Sequence, residues 1–295
     1  MIVASKREKA AYYLYLIPAF VCFGVFIFWP TIQSFYLSLC KYSLSNMNSG
    51  SKYVGLYYYD KLLFDSRFWG IMKNTGIFTV FTVPCAMILG LLLAVLIHSK
   101  LIKRKTFYKV SLYIPYVSSM VAVASVFKIL FHPNKSDSVV NQLLDKIGLP
   151  QVSWLGTSGW AMFIIILVSM WKSLGYIMII YLGGLCGISD DIYEAADLDA
   201  VTPWKKLTKI TAPLLKPTTF FLLATETISS FQVFTPVNII TNGGDPGGGT
   251  STLITFLYNE GFKSGFMGKA SAISVIIFVV LSILTIIQKK MTDDD

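Results

Sequence analysis

Residues 74–99 read NTGIFTVFTVPCAMILGLLLAVLIHS and contain no aspartate, glutamate, lysine or arginine. A helix that crosses the hydrocarbon core of a bilayer needs about 20 mostly apolar residues, and this stretch provides them. The whole chain has the same character, since 54% of its 295 residues are hydrophobic, 14% are charged and the mean hydropathy is +0.62. A soluble domain usually carries about 25% charged residues. The composition therefore excludes an ordinary cytosolic enzyme and predicts an all-α integral membrane protein.

Five further apolar stretches are long enough to span a membrane. Together with residues 74–99 they make six apolar stretches. Lys172 interrupts the fourth stretch, and the fifth stretch contains Lys216 near its start and Glu226 near its middle. No connection between spans exceeds about 30 residues, which is too short for an independent domain. The sequence thus predicts a single transmembrane domain over residues 1–295, with spans at about 12–38, 72–98, 108–131, 159–187, 214–237 and 270–288.

The distribution of basic residues predicts the orientation of the spans. If both termini are cytoplasmic, the inner segments hold more lysines and arginines than the outer loops, although the outer loops are longer. Cytoplasmic loops of membrane proteins carry such an excess. The pattern predicts a multi-pass membrane protein with both termini in the cytoplasm. The net charge of +9 then reflects topology and contact with anionic lipid, and it does not indicate nucleic-acid binding.

The residue types that most often bind metals or catalyse reactions lie far apart along the chain. The four cysteines form no CxxC pair, and His98 and His132 lie near opposite faces of the predicted bundle. There is no GxxxxGK[ST] phosphate loop. We expect no metal site, no cofactor and no catalytic role in this chain, so that any ATPase would be a separate polypeptide.

The inner connection at residues 188–213 has helical signals of its own. Residues 191–194, Asp-Ile-Tyr-Glu, predict a capping box with Asp191 as the N-cap. Thr202-Pro203 predicts the start of a second short helix, which Pro213 is expected to end. The connection therefore predicts a cytoplasmic helix-turn-helix element, in which capping alone would already explain Glu194.

The run EAADLDAVTPWKKLTKITAPLLKP, residues 194–217, resembles the EAA loop of the membrane subunits of binding-protein-dependent ABC importers. Ala200 stands where this family usually has glycine, and Ala212 where it usually has leucine. Residues 14–39, 54–69 and 230–262 resemble, in the same order, segments of sugar permeases of the maltose and glycerol-phosphate importer type. The positions that match the EAA pattern are Glu194, Ala195, Ala196, Asp199, Ile210, Pro213 and Pro217.

The resemblance implies the transmembrane fold of type I ABC importers and the function of a permease subunit in an ATP-driven importer of a sugar, with an oligosaccharide favoured. The implied partners are a second permease, two ATPase subunits that bind ATP and magnesium, and an extracytoplasmic solute-binding protein. An ion- or proton-coupled secondary transporter is the alternative, and a membrane enzyme comes third. Coupling to the ATPase is implied for Glu194, Ala195, Ala196, Asp199, Ala200, Ile210 and Pro213.

The charged residues within the spans indicate a solute path. A charge at the bilayer centre costs at least ~2.5–3.5 kcal/mol, so Lys172 and Glu226 should face the bundle interior or a wet cavity. One interpretation is that they pair and hold two helices together. The other is that Glu226, with Ser229, Ser230 and Gln232, lines the path and accepts hydrogen bonds from sugar hydroxyls. Phe231 and Phe234 could stack on a sugar ring.

The glycine-rich stretch at residues 242–250 lies on the outer side in the predicted topology. No Lys-Ser or Lys-Thr follows it, so it is not a phosphate loop. A flexible turn explains the composition, and the resemblance implies instead a contact with the solute-binding protein through Gly243, Gly244, Gly247 and Gly248.

Overall fold

The computed structural model describes residues 6–44, 50–99 and 102–293, and most of them are helical. Two short antiparallel strands, β1 (Cys40–Lys41) and β2 (Lys52–Tyr53), pair Cys40 with Tyr53. The helices, in chain order, are α1 (Lys6–Phe23), α2 (Trp29–Ser38), α3 (Tyr57–Leu63), α4 (Ser66–His98), α5 (Lys105–Val117), α6 (Met120–Leu130), α7 (Val139–Lys146), α8 (Ser158–Cys186), α9 (Asp190–Leu198), α10 (Pro203–Lys206), α11 (Ala212–Leu214), α12 (Lys216–Phe231), α13 (Thr235–Ile240), α14 (Leu253–Tyr258) and α15 (Met267–Asp293).

Three π-helical segments make some of these helices continuous. Gly24–Phe28 joins α1 to α2, Leu207–Thr211 joins α10 to α11, and Asn259–Lys263 extends α14. Within the described residues, four helical stretches are long and apolar enough to cross a bilayer, and they lie over the first, second, fourth and sixth predicted spans. They are Tyr15–Ser38, Ser66–His98, Ser158–Cys186 and Met267–Met291.

The third predicted span, 108–131, is not one straight helix. α5 and α6 meet at an angle of 89°, so that together they can count as a fifth, broken span. Ser118 and Ser119 between them are extended, with ψ of 149° and 126°. The prediction of one uninterrupted helix over this apolar stretch was therefore wrong.

The fifth predicted span, 214–237, is also divided. α12 ends at Phe231 after 16 residues, and α13 begins only at Thr235, with Pro236 in its first turn. Proline suits a first turn because it has no backbone N–H to donate. Neither helix alone has the length of a span.

One compact unit comprises the described residues up to Asp65 together with Leu257–Phe278. The hairpin of β1 and β2 lies within it, and the Gly268 N–H donates to the Tyr42 carbonyl oxygen at 3.1 Å. A side chain at Gly268 would overlap the Cys40 carbonyl. In the helix at Tyr15–Ser38, none of the most apolar 18-residue window is buried within the described residues.

The second unit comprises Ser66–Phe256 and the chain from Val279 onward. α4 and α8 form its centre, where Gly90 of α4 leaves room for the side chain of Ile177 on α8. Small residues at such contacts allow membrane helices to approach closely. The fully or nearly buried side chains of this core include Val83, Ala86, Ala94, Ile177, Met178, Tyr181, Leu185, Leu215 and Leu222.

Candidate functional site

A cavity of about 360 Å³ lies within the second unit, bounded by α4, α5, α6, α8, α12 and the start of α13. Its wall contains all five residues that the sequence assigned to a solute path, namely Lys172, Glu226, Ser229, Ser230 and Gln232. Phe234 also lines the cavity, whereas Phe231 is 6% exposed and does not. The structure thus brings the predicted path residues together from α8, from α12 and from Gln232, which caps the end of α12.

The polar face of α12 follows from helical spacing. Glu226, Ser229 and Ser230 are three and four residues apart, which places their side chains on one side of a helix. Glu226 is 9% exposed. Across the cavity, the hydroxyls of Thr82 on α4 and Ser169 on α8 are buried and have no hydrogen-bond partner among the described residues.

Lys172 does not form an ion pair with Glu226. Its Nζ donates to the backbone carbonyl oxygens of Pro115 at 3.1 Å, Tyr116 at 2.7 Å and Ser118 at 2.7 Å. These carbonyls lie at the break between α5 and α6. The interpretation in which Lys172 and Glu226 clamp two helices together is therefore wrong in this structure.

Two tyrosines of the cavity wall were not predicted. The rings of Tyr116 on α5 and Tyr176 on α8 stack with centroids 4.9 Å apart, and both residues line the cavity. The sequence does contain a signal for this face of α8. At helical spacing, one side of this otherwise apolar helix carries Ser169, Lys172, Ser173 and Tyr176. Among the described residues, no three histidine, cysteine or acidic side chains come together as metal ligands.

The inner connection begins with α9, whose N-cap differs from the prediction. Ser189 is the N-cap, and its hydroxyl accepts a hydrogen bond from the Asp191 N–H at 3.3 Å. Asp191 lies in the first turn, and Glu194 lies beyond the position at which a capping box needs its glutamate. The capping-box prediction was therefore wrong, and capping does not explain Glu194.

Ala200 adopts a left-handed conformation at the end of α9, with φ of +51°. The Ala200 N–H donates to the Asp197 carbonyl at 3.1 Å, and the Val201 N–H donates to the Ala196 carbonyl at 3.0 Å. This pair of bonds is a Schellman motif, in which the residue at the Ala200 position is usually glycine. The turn after α9 is thus formed with alanine at a position where glycine is usual.

The second helix of the connection is longer than predicted. It starts after the N-cap Thr202, with Pro203 in its first turn, and it continues through the π-helical segment and past Pro213 to Leu214. Pro213 does not end it, because Leu214 is still helical and Leu215 is the C-cap.

The two helices of the connection are fixed to each other by side chains. The hydroxyls of Tyr193 and Thr211 are 3.1 Å apart, and Lys206 forms an ion pair with Asp197. Ala196 is buried and Ile210 is half-buried, whereas Glu194, Ala195, Asp199, Ala200 and Pro213 are exposed. A cleft of about 400 Å³ beside the helices is lined by His98, Ser99, Asp190, Glu194, Pro203 and Lys206.

The glycine-rich loop at residues 242–250, which the sequence predicts to be an outer loop, is not a bare flexible turn. The Thr250 hydroxyl donates to the Asp245 carbonyl at 2.8 Å, and Asn74 on α4 donates to the carbonyls of Gly248 and Ser251 at 3.3 Å each. Lys128 on α6 donates to the Asn242 side chain at 2.8 Å. The predicted contact residues differ in accessibility, since Gly243 and Gly244 are buried and Gly247 and Gly248 are exposed.

Comparison with known proteins assigns the chain to a group. Residues 75–293 match the family model described as binding-protein-dependent transport system inner membrane component. The chain is 33% identical to the probable ABC transporter permease protein YurN of Bacillus subtilis, with 97% of each chain covered. It is also 33% identical to the lactose transport system permease protein LacF of Rhizobium radiobacter, over 98% of this chain and 97% of that protein.

A solved structure has the same fold. It is a crystal structure of a bacterial ABC transporter involved in the import of the acidic polysaccharide alginate. The superposition gives a TM-score of 0.83 over 98% of this chain and 96% of the other, at 24% sequence identity. At this identity the likeness shows the fold, and the chain therefore has the transmembrane fold of an ABC importer permease.

Proposed function

The chain belongs to the family of binding-protein-dependent transport system inner membrane components, and we propose that it is the permease subunit of an ATP-driven importer of neutral sugars and short oligosaccharides. The observation that carries this proposal is the cavity in which Lys172, Glu226, Ser229, Ser230 and Gln232 meet. The proposed chain forms half of the translocation path and performs no covalent chemistry.

The chemistry of the cavity suits a sugar without negative charge. Two ionisable side chains, Lys172 and Glu226, line the cavity. The N–H donors of Lys172 are used by backbone carbonyls, so the Glu226 carboxyl is the group of this pair that can hydrogen-bond a solute. A carboxyl group accepts hydrogen bonds from sugar hydroxyls, and the cavity has no excess of positive charge to attract an anion. The stacked rings of Tyr116 and Tyr176 supply an apolar wall. Among the relatives, LacF is named for lactose, a neutral disaccharide.

The coupling role is proposed for the exposed part of the inner connection. Ala195 presents no bulky side chain, and Glu194 presents a carboxylate suited to charge-assisted hydrogen bonds with a partner. Because Tyr193 and Asp197 tie α9 to the second helix, the pair can move as one body when a partner subunit pushes on it. We infer that this element docks on one of two ATPase subunits, which bind ATP and magnesium.

The rest of the assembly follows from the family. We infer six spans, with α12 and α13 together forming the fifth, and both termini in the cytoplasm of a bacterial cell. A second permease completes the path as a heterodimer, and an extracytoplasmic solute-binding protein contacts the outer loop at Gly247 and Gly248. Family membership favours this importer over an ion- or proton-coupled transporter and over a membrane enzyme.

The test is sugar uptake by cells that carry Glu226→Gln together with the partner subunits. The panel contains neutral disaccharides and oligosaccharides and an acidic uronate oligosaccharide. We expect slower uptake of neutral sugars, relatively better uptake of the acidic one, and normal assembly of the complex. Asp145→Asn, on the exposed surface of α7, is the matched control and should leave the whole profile unchanged. An unchanged profile in Glu226→Gln would refute the assignment of the path.

A further inference from the structure

The break in the third predicted span ends a helix within the membrane-spanning part of the chain. α5 stops at Val117, Ser118 and Ser119 are extended, and α6 leaves at 89°. The last carbonyls of a helix have no partner inside the helix, and the hydrocarbon core contains no water to bind them. A break at this place therefore needs hydrogen-bond donors from elsewhere in the protein or from water in the cavity that it borders.

Lys172 of α8 supplies those donors. Its ammonium group has three N–H bonds, and the carbonyl oxygens of Pro115, Tyr116 and Ser118 all lie within 3.1 Å of Nζ. In a continuous helix these carbonyls would accept from the N–H groups four residues later. The positive charge also lies at the carboxyl end of α5, where the helix dipole is negative.

A second contact anchors α5 to the same helix. At Gly175 the backbone of α8 approaches α5 so closely that a Cβ there would overlap the Leu112 carbonyl and the Cα of Tyr113. α5 is thus fixed to α8 along its last two turns, and the direction of α6 depends on the geometry of the break. Tyr116 before the break and Met120 after it both line the solute cavity.

We propose that Lys172 is a positioning residue: it keeps the third span broken and thereby holds Tyr116 and Met120 in the cavity wall. The three donors of Lys172 are used by the backbone, so it shapes the cavity without binding the solute. This role goes beyond the proposed function, because it makes no assumption about what is transported.

A distance measurement across the break tests the proposal. Phe107 on α5 and Ile129 on α6 are 64% and 62% exposed and accept spin labels without disturbing the core. At 1.5 Å per residue they lie about 17 Å and about 16 Å from the break. The 89° bend places their backbones about 23 Å apart, which we call the bent distance. A straight helix would place them about 33 Å apart, which we call the straight distance.

The measurement is made by pulsed electron paramagnetic resonance on the full chain in lipid nanodiscs, with the four native cysteines replaced by alanine. We expect only the bent distance with Lys172 and with Lys172→Arg, which retains N–H donors for the carbonyls. Lys172→Met should add a population at the straight distance. Lys109→Met, a loss of lysine on α5 itself, is the matched control and should show only the bent distance.

The bent distance alone in folded Lys172→Met would overturn the proposal. If that variant does not fold, Lys172→Gln replaces it, since glutamine offers two N–H donors for three carbonyls. A second population in Lys172→Gln supports the role of Lys172, and the bent distance alone overturns it. A shift to the straight distance in Lys172→Arg would also overturn it, because the donors would then not be what maintains the bend.

Discussion

Replacing Gly175 by alanine tests how closely α8 packs against α5. The added Cβ would overlap the Leu112 carbonyl and the Cα of Tyr113, and these backbone atoms cannot rotate away. Overpacking of this kind costs about 1–3 kcal/mol. Alanine regains roughly 0.5–1 kcal/mol over glycine inside a helix. We therefore expect Gly175→Ala to lower the free energy of unfolding by roughly 1 kcal/mol, and by about 2.5 kcal/mol at most.

The matched control is Gly183→Ala on the same helix, where a Cβ meets nothing within 4 Å. This variant should raise the free energy of unfolding by roughly 0.5–1 kcal/mol. The assay is heat unfolding of the full chain in detergent, followed by circular dichroism, in which 1 kcal/mol corresponds to about 2–4 °C. The two variants should move the midpoint in opposite directions. If both raised it, the close approach of α8 to α5 would be refuted.

Three further substitutions test other parts of the chain. Ala200→Gly should raise the free energy of unfolding by about 0.5–1 kcal/mol, since glycine adopts the left-handed φ of +51° without strain, and the same heat-unfolding assay measures it. Glu194→Ala should reduce recovery of the ATPase subunit with the chain and slow uptake, with no change in melting midpoint; wild-type recovery and uptake would exclude a coupling role. Gly247→Asn adds a side chain at an exposed left-handed position, which asparagine tolerates. More solute-binding protein should then be needed for half-maximal uptake, and an unchanged requirement would place the contact elsewhere.

The long helices could be predicted because an uncharged run of about 20 apolar residues is typical of a membrane span. The breaks could not be predicted in the same way. Ser118 and Ser119 lie in a stretch that is as apolar as an unbroken span, and the donors that stabilise the break come from Lys172, far along the chain. Local sequence carries no information about such a distant partner.

The residues of the candidate site likewise fall into those that the sequence predicts and those that only tertiary packing reveals. The polar face of α12 was evident from the spacing of Glu226, Ser229 and Ser230, since helical period alone groups them. Thr82 and Tyr116 were not identified because only tertiary packing brings α4 and α5 to that face. The glycines of residues 242–250 were compatible with a flexible turn or with a contact to a partner, and composition does not reveal that Asn74 and Thr250 form hydrogen bonds within this loop.

The pairing of α4 with α8 has a consequence for biosynthesis. About 90 residues separate the ends of these helices, and at 5–20 residues per second the ribosome needs roughly 4–18 s to make them. During that interval α4 lies in the bilayer without α8, its main packing partner. The Thr75 hydroxyl can meanwhile donate to the Ile71 carbonyl within the same helix, as it does at 3.0 Å in the finished protein. Its oxygen accepts the Leu253 N–H at 3.1 Å only after most of the chain has been translated.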